Sequence, residues 1–261
     1  MPLLEIKGLY KSFGGLAALI DVDLAIEENE LVGLIGPNGA GKTTVFNIIT
    51  GIYRPDRGRV IFNGQDLIGK KPHVICKMGI ARTFQNIRLF NGLTVLENVL
   101  ISCHKDVEYG LWAAALRTPP FKRGEEKMVK KAMEYLAVFG LEDKAKEKAG
   151  SLPYGEQRRL EIARAMATRP KLLILDEPAA GMNPQETKEL MNIIEWLRKH
   201  FGLTILLIEH DMALVMGVCE RIYVLDYGKV IAQGGPEEIR TNRRVIEAYL
   251  GEEVNVVARD K

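Results

Sequence analysis

Two clusters of residues carry side chains suited to chemistry on a phosphate. The first is Gly36-Pro37-Asn38-Gly39-Ala40-Gly41-Lys42-Thr43-Thr44, directly behind the apolar run Leu31–Ile35. Gly36, Gly41, Lys42 and Thr43 fit the phosphate-loop pattern G-x-x-x-x-G-K-[ST]. Glycines let the backbone turn tightly, so several N–H groups converge on one anion. A helix starting near Lys42 aims its positive dipole end at the same point. Lys42 is then placed to reach the β- and γ-phosphates, and the Thr43 hydroxyl to complete the shell of a Mg²⁺ ion. The second cluster is Asp176-Glu177, closing the apolar run Leu172–Leu175. Such a strand end presents two carboxylates at the carboxyl edge of a sheet, where open α/β sheets bind ligands. Asp176 suits a magnesium partner, direct or through water, and Glu177 a general base that polarises attacking water. An acidic strand end alone is as often a loop cap as a site. With a phosphate loop upstream, the pair predicts nucleoside triphosphate binding and hydrolysis.

The elements that must position these residues read as α/β. Leu3–Leu9 and Ala18–Ile26 alternate as strands, with a turn at Phe13-Gly14-Gly15 and another over Glu27–Glu30. A helix runs from Thr43 to Thr50 and stops at Gly51. Arg54–Gly58 is a turn, Val60–Phe62 a strand, and Asn63-Gly64 a hairpin signal. From Gly92 to about Arg169 the spacing is helical, through Thr94–Ser102 and Gly124–Phe139. Between these two, Cys103–Arg123 reads as an irregular insertion with Trp112 and Pro119-Pro120, either a partner surface or a tolerated excursion. A helix Pro184–Lys199, a strand Thr204–Ile208, a short helix from Met212, strands Arg221–Leu225 and Val230–Gln233, and a helix opening at Pro236 follow. The expectation is a core of about residues 1–91 and 170–261, mixed in strand direction with an antiparallel β part, and a helical subdomain of about 92–169. No internal repeat occurs, so one nucleotide-site assembly is expected.

Composition excludes several classes. A net charge of +2 over 261 residues argues against a dedicated nucleic-acid binder. No apolar run approaches the roughly 20 residues of a membrane span, and the opening Met-Pro-Leu-Leu-Glu-Ile-Lys-Gly lacks a signal-peptide pattern. Cys76, Cys103 and Cys219 are scattered, and read as reduced thiols of a cytosolic protein rather than a metal site. His73, His104 and His200 stand in polar surroundings and read as surface residues.

The phosphate loop, Leu172–Pro184 (LLILDEPAAGMNP) and Leu152–Ala165 (LPYGEQRRLEIARA) together resemble the ATP-binding cassette ATPases of ABC transporters, over essentially the whole chain. The resemblance implies ATP and Mg²⁺ as ligands and adds roles that spacing does not. Phe13 matches the aromatic that stacks on adenine. Gln85, in Thr83-Phe84-Gln85-Asn86, matches the Q-loop glutamine that meets magnesium and links to the membrane partner. Asn183 occupies the D-loop aspartate position, and His210 matches the switch histidine that senses the γ-phosphate. The signature Leu152–Glu156 departs from the common LSGGQ, with Pro153 at the serine, Tyr154 at the first glycine and Glu156 at the glutamine. The serine hydroxyl contact is therefore lost, while the Gly155 N–H and the helix behind it remain. In the family this signature completes the ATP site of a second ATPase subunit, so Tyr154, Gly155 and Glu156 are expected to act across a dimer of identical or related chains.

Further segments, among them GIARTFQNIRLFNGLTVLENV, YGEQRRLEIAR, LIEHDM and the closing AYLGE with Tyr249-Leu250-Gly251, look like the ATPases of branched-chain amino acid importers. That resemblance implies a peripheral subunit on the cytoplasmic face of the membrane. It would power separate permease subunits and, indirectly, be served by a solute-binding protein, without a nucleic-acid partner. The alternatives are ATPases of amide or urea import, or of lipopolysaccharide export, and a soluble cassette protein of translation or DNA repair. The last usually has two cassettes or a long coiled-coil insertion, and neither is present. No NKxD guanine motif supports a GTPase.

Overall fold

The computed structural model describes residues 1–104 and 109–249; residues 105–108 of the insertion and 250–261, with Leu250 and Gly251 among them, lie outside these. In chain order the elements are β1 (Leu4–Phe13), β2 (Leu16–Ile26), β3 (Leu31–Ile35), α1 (Lys42–Ile49), β4 (Arg57–Phe62), β5 (Gln65–Asp66), α2 (Pro72–Met78), β6 (Ile80–Arg82), α3 (Val95–Cys103), α4 (Leu111–Ala115), α5 (Pro119–Val138), α6 (Tyr154–Met166), β7 (Leu172–Asp176), α7 (Pro184–Phe201), β8 (Thr204–Ile208), α8 (Met212–Val218), β9 (Arg221–Asp226), β10 (Lys229–Gly234) and α9 (Pro236–Thr241). The chain divides into two compact units. One comprises Met1–Ile80, Lys171–Glu177 and the chain from Glu195 onward; the other comprises Ala81–Pro170 and Pro178–Ile194.

Among the described residues the strands form two sheets, all in the first unit except Ala81 and Arg82 of β6. An antiparallel sheet has the order β2-β1-β4-β5, and a larger one the order β10-β9-β3-β8-β7-β6. In the larger sheet β9, β3, β8 and β7 run parallel, and β10 returns antiparallel to β9. Every residue of β3, β7 and β8 is buried, as parallel strands covered on both faces require; their Leu/Ile/Val runs supply that apolarity. Strand β2 instead alternates, burying Val22, Leu24 and Ile26, the pattern of a sheet with one wet face. Val45, Phe46, Ile48 and Ile49 of α1 join residues of both sheets, such as Ile6, Phe62, Leu34 and Leu206, in one buried cluster. Phe46 is fully buried, and its truncation to alanine would cost about 3–5 kcal/mol. Asn63 at φ 47° and Gly64 at φ 74° make the expected tight turn between β4 and β5. Behind β3, the Cβ position of Gly33 lies 3.1 Å from Cys219 Sγ and from Val215 Cγ1, so α8 packs directly on the strand backbone.

The second unit is mainly helical. Thr94 caps α3 through a capping box with Glu97, and backbone bonds from Val95 and Leu96 to Glu147 and Ala145 fasten that end to the chain after α5. Fully buried Asn98 closes the preceding loop by accepting from Phe90 N and donating to Phe90 O and Thr94 O. This unit extends beyond the helical stretch 92–169, taking in Ala81–Asn91 and Pro178–Ile194.

Three local features differ from the sequence expectations. Helix α5 begins at Pro119 rather than near Gly124, because Pro119 and Pro120 open it from its first turn, where no intrahelical N–H is needed. Helix α2 and strand β6 were not anticipated: the seven residues of α2 hold one buried apolar side chain, Ile75, and β6 spans only three residues. Strand β1 runs past its apolar pattern to Phe13 and β4 starts ahead of its own at Arg57, since Lys11, Ser12 and Phe13 pair with Leu19, Ala17 and Leu16 of β2 and Tyr10 pairs with Arg57.

Candidate nucleotide site

Sheet register assembles the first cluster. Leu34 of β3 pairs with Ile208 of β8, and Ile208 pairs with Asp176 of β7. These parallel strands therefore end in one row, neighbouring strands being about 4.8 Å apart. The phosphate loop after β3, the Asp176-Glu177 pair after β7 and the Glu209-His210 pair after β8 all leave from the same carboxyl edge.

Within the loop, Gly36, Gly39 and Gly41 take φ of 146°, 78° and 107°, left-handed values that favour glycine. Two of the three are also sterically required. A Cβ on Gly36 would lie 1.9 Å from Leu225 O, and one on Gly41 2.6 Å from Ala18 O. The loop is thus seated against β9 and β2, and Gly228 N bonds to Ala40 O at 2.9 Å from the β9–β10 turn. Lys42 is buried, and its ammonium donates to Gly36 O at 2.5 Å and Pro37 O at 2.9 Å. That clamp holds a cation inside a ring of backbone, while Thr43 and Thr44 follow in the first turn of α1.

Asp176 is buried and Glu177 half-buried. Glu177 has φ 45° immediately before Pro178, a backbone state that bulky residues rarely adopt and that clusters at functional sites. Its N–H bonds to Ile208 O at 2.9 Å, which ties the backbone of this residue to β8. His210 Nδ1 lies 3.8 Å from Glu177 Oε2 and equally 3.8 Å from Oε2 of buried Glu209. The imidazole is two-thirds exposed, and Asp211 behind it caps α8 by accepting from Ala213 N and Leu214 N. Among the described residues no group of three or more His, Cys, Asp or Glu side chains gathers as a self-contained metal site. The donor set of one hydroxyl and one carboxylate suits Mg²⁺, which is typically held by one or two protein ligands plus phosphates and water.

Phe13 ends β1 and is 43% exposed. Tyr53, a residue the sequence reading passed over, stands edge-on to it at 5.2 Å, with the Lys11 ammonium 5.2 Å from the Phe13 ring centre. The strand tip is pinned by Asp56, which accepts from Lys11 Nζ at 3.0 Å and from Ser12 N and Oγ at 2.6 and 2.9 Å. The Lys11 bond, followed by those from Ser12, lowers the Asp56 pKa from 3.8 to about 2.

Gln85, Tyr154, Gly155, Glu156 and Asn183 belong to the second unit. Exposed Gln85 follows Phe84, whose ring has the Arg82 and Arg88 guanidinium groups 4.8 and 4.1 Å from its centre. Tyr154 and Gly155 open α6 after Pro153, and Tyr154 is 45% exposed. Both carboxylate oxygens of Glu156 accept from Lys144 Nζ at 2.6 Å, so the acid that replaces the usual glutamine carries its own counter-charge. Asn183 caps α7 reciprocally with Glu186, the two exchanging bonds of 2.9 and 3.0 Å. Neither Lys144 nor Arg158, taken up below, has a role in the sequence reading; the i,i+3 spacing of Arg158 to Glu161 is the one local sign of its ion pair.

A family model described as ABC transporter matches residues 19–180. The chain belongs to the ABC transporter ATP-binding family. A second model, described as branched-chain amino acid ATP-binding cassette transporter, matches residues 229–255 of this cassette. The cassette is 52% identical over 251 residues, 96% of it and 98% of the relative, to the high-affinity branched-chain amino acid transport ATP-binding protein LivG of Salmonella typhimurium. It resembles the crystal structure of the ADP conformation of an ABC transporter cassette with TM-score 0.84 and 34% identity, covering 96% of this cassette and 99% of that chain. A dimeric cassette in a post-hydrolysis state, bound to ADP and Pi, matches with TM-score 0.76 and 28% identity over 89% of this chain and 98% of that one. The cassette is therefore an ATPase of α/β architecture. Among its described residues no helix is long and apolar enough to cross a membrane.

Proposed function

We propose that this chain is the ATP-hydrolysing subunit of an importer for branched-chain or related amino acids, acting on separate membrane permease subunits. One observation carries the reading: identity of 52% extends across 96% of the chain to a branched-chain amino acid transport ATPase. The match at residues 229–255 adds support at the C-terminal end, apart from the motifs common to all cassettes. Amide import and lipopolysaccharide export would share the chemistry, but identity to a lipopolysaccharide export ATP-binding protein is lower, 36% over 97% of the chain.

In this reading Lys42 and the N–H groups of Gly36–Thr44 hold the phosphates, and Phe13 offers its face to adenine. Thr43, Gln85 and Asp176 hold Mg²⁺, which when bound offsets charge on the β- and γ-phosphates. Glu177 takes a proton from the attacking water and His210 orients the γ-phosphate. Tyr154, Gly155 and Glu156 face the nucleotide of a second ATPase subunit, as in an ATP sandwich. Closure of two subunits on ATP and reopening after hydrolysis would rock the permease, and a solute-binding protein would deliver the amino acid from the far side. The subunit lies peripherally on the cytoplasmic face.

Glu177→Gln tests the chemistry, because it keeps shape and removes the base. ATP binding is expected to persist, measured by fluorescent-nucleotide titration, while phosphate release falls about 10² to 10⁴-fold. Near-normal turnover would remove Glu177 from its role. The same variant, tagged and captured with ATP from solubilised membranes, is expected to bring multispanning permeases. Recovery of soluble partners alone would refute the transporter assignment.

A further inference from the structure

Arg158 has the largest fully buried side chain of the described residues, yet it lies outside every motif role assigned above. One guanidinium nitrogen, Nη1, donates to Phe84 O at 2.6 Å and Glu161 Oε2 at 2.9 Å. The other, Nη2, donates to Gln85 O at 2.7 Å and to the Tyr154 hydroxyl at 3.4 Å. Glu161 is itself buried, and its second oxygen accepts from Arg88 N at 3.1 Å. The fork therefore grips two successive carbonyls of the Q-loop, while the paired carboxylate grips that loop three residues further on. Tyr154, at the other end of the node, packs its ring against Gly181, where an added Cβ would sit 3.2 Å from Tyr154 Cε1. Q-loop, signature and D-loop thus meet through two side chains, Arg158 and Tyr154.

The arrangement is a costly way to stabilise a helix. A buried ion pair rarely outperforms hydrophobic residues of the same volume, and among the described residues Arg158 Nε has no hydrogen-bond partner. What two parallel bonds from a rigid planar fork provide is geometry. We propose that Arg158 is the positioning residue that makes the Q-loop and the Tyr154-Gly155 signature move as one block. A displacement at Gln85 is then passed directly to the residues facing the second subunit's nucleotide. The inference rests on the ATP-hydrolysing function proposed above.

The test uses the purified full-length chain. Arg158→Lys keeps a charge beside Glu161 but loses the fork. It is expected to bind ATP with unchanged affinity, to lose turnover at saturating ATP by roughly tenfold or more, and to show faster amide exchange over residues 84–90. Wild-type turnover together with wild-type exchange overturns the proposal. So does a loss of ATP affinity equal to the loss of turnover, which marks general damage. Should the lysine variant not fold, Arg158→Met combined with Glu161→Leu removes both charges and leaves no lone buried ion. It is expected to keep its melting temperature yet show the same loss of turnover and of exchange protection; full turnover in that stable variant overturns the proposal. A wild-type chain without ATPase activity would count against the function itself, and amide exchange would still decide whether Arg158 holds the two loops together.

Discussion

Gly36→Ala offers a quantitative check on how the phosphate loop is seated. The added Cβ would meet Leu225 O at 1.9 Å and Leu225 C at 2.9 Å, both backbone atoms of β9, at a residue with φ 146°. Contacts under 3.0 Å are essentially never seen for real Cβ atoms, so loop or strand must move by about 1 Å. Overpacking of this kind costs about 1–3 kcal/mol, and a backbone state reserved for glycine costs about 1–3 kcal/mol more. The sum of about 2–6 kcal/mol is large beside a typical stability of about 5–15 kcal/mol. At roughly 2–4 °C per kcal/mol for a chain of this size, the apparent Tm should fall by on the order of 10 °C. Gly39→Ala is the matched control. It also stands in the left-handed region, at φ 78°, but among the described residues its Cβ would meet nothing within 4 Å, leaving only a backbone cost of about 1–2 kcal/mol. Thermal melts by circular dichroism, without nucleotide and then with ATP and magnesium, separate the two. The Gly36 variant should be the less stable and should gain little from ATP, its loop being displaced. If it melts with or above the Gly39 variant, or keeps the full ATP-induced shift, the crowding argument fails.

Three other expectations follow from particular contacts. The Asp56 carboxyl, lowered from 3.8 to about 2, favours the folded state above its unfolded pKa and loses that contribution as pH falls through about 2; an NMR titration should find the low midpoint, and Lys11→Met should move it up towards 3.8. Burial, reinforced by Glu209 and Glu220, raises the Cys219 thiol to about 12, so native protein at pH 8 should leave it unlabelled by iodoacetamide while half-exposed Cys76 reacts. Equal labelling of the two would contradict the packing of α8 on β3. Thr94→Ala removes the cap of α3 and the Glu97 capping box, and should cost about 1 kcal/mol in urea melts, against no change if the cap is idle.

What could be read from the sequence was what is local. The phosphate loop, the Asp176-Glu177 strand end and the buried run before His210 each combine an apolar strand with the polar residues that terminate it, so pattern and chemistry coincide within a dozen residues. Elements set by long-range pairing were harder. Strand β6 has three residues, and α2 buries only Ile75, so neither offers a period. Pro119-Pro120 looked like a break because the same residues end helices and begin them, and only the placement of the first turn decides. Arg158 was hardest of all. Neighbouring Arg159 has the same chemistry, and no local pattern says that one of two adjacent arginines is sealed from water against carbonyls 73 and 74 residues away.

The position of β3 within its sheet has a consequence for synthesis. Its two neighbours are β8 and β9, where Leu31 pairs with Ile205 and Val32 with Arg221. Emerging from the ribosome, the strand that carries the phosphate loop waits for about 170 further residues before its first partner exists, roughly 10–35 s at ordinary elongation rates. During that interval five consecutive apolar residues have both edges unpaired, the kind of segment that templates aggregation. ATP is a poor early folding ligand for this chain, because β2 supplies only part of the loop's floor and Leu225 of β9 supplies the rest. Nucleotide binding is therefore expected late in synthesis, once β9 and the turn whose Gly228 N bonds to Ala40 O have emerged.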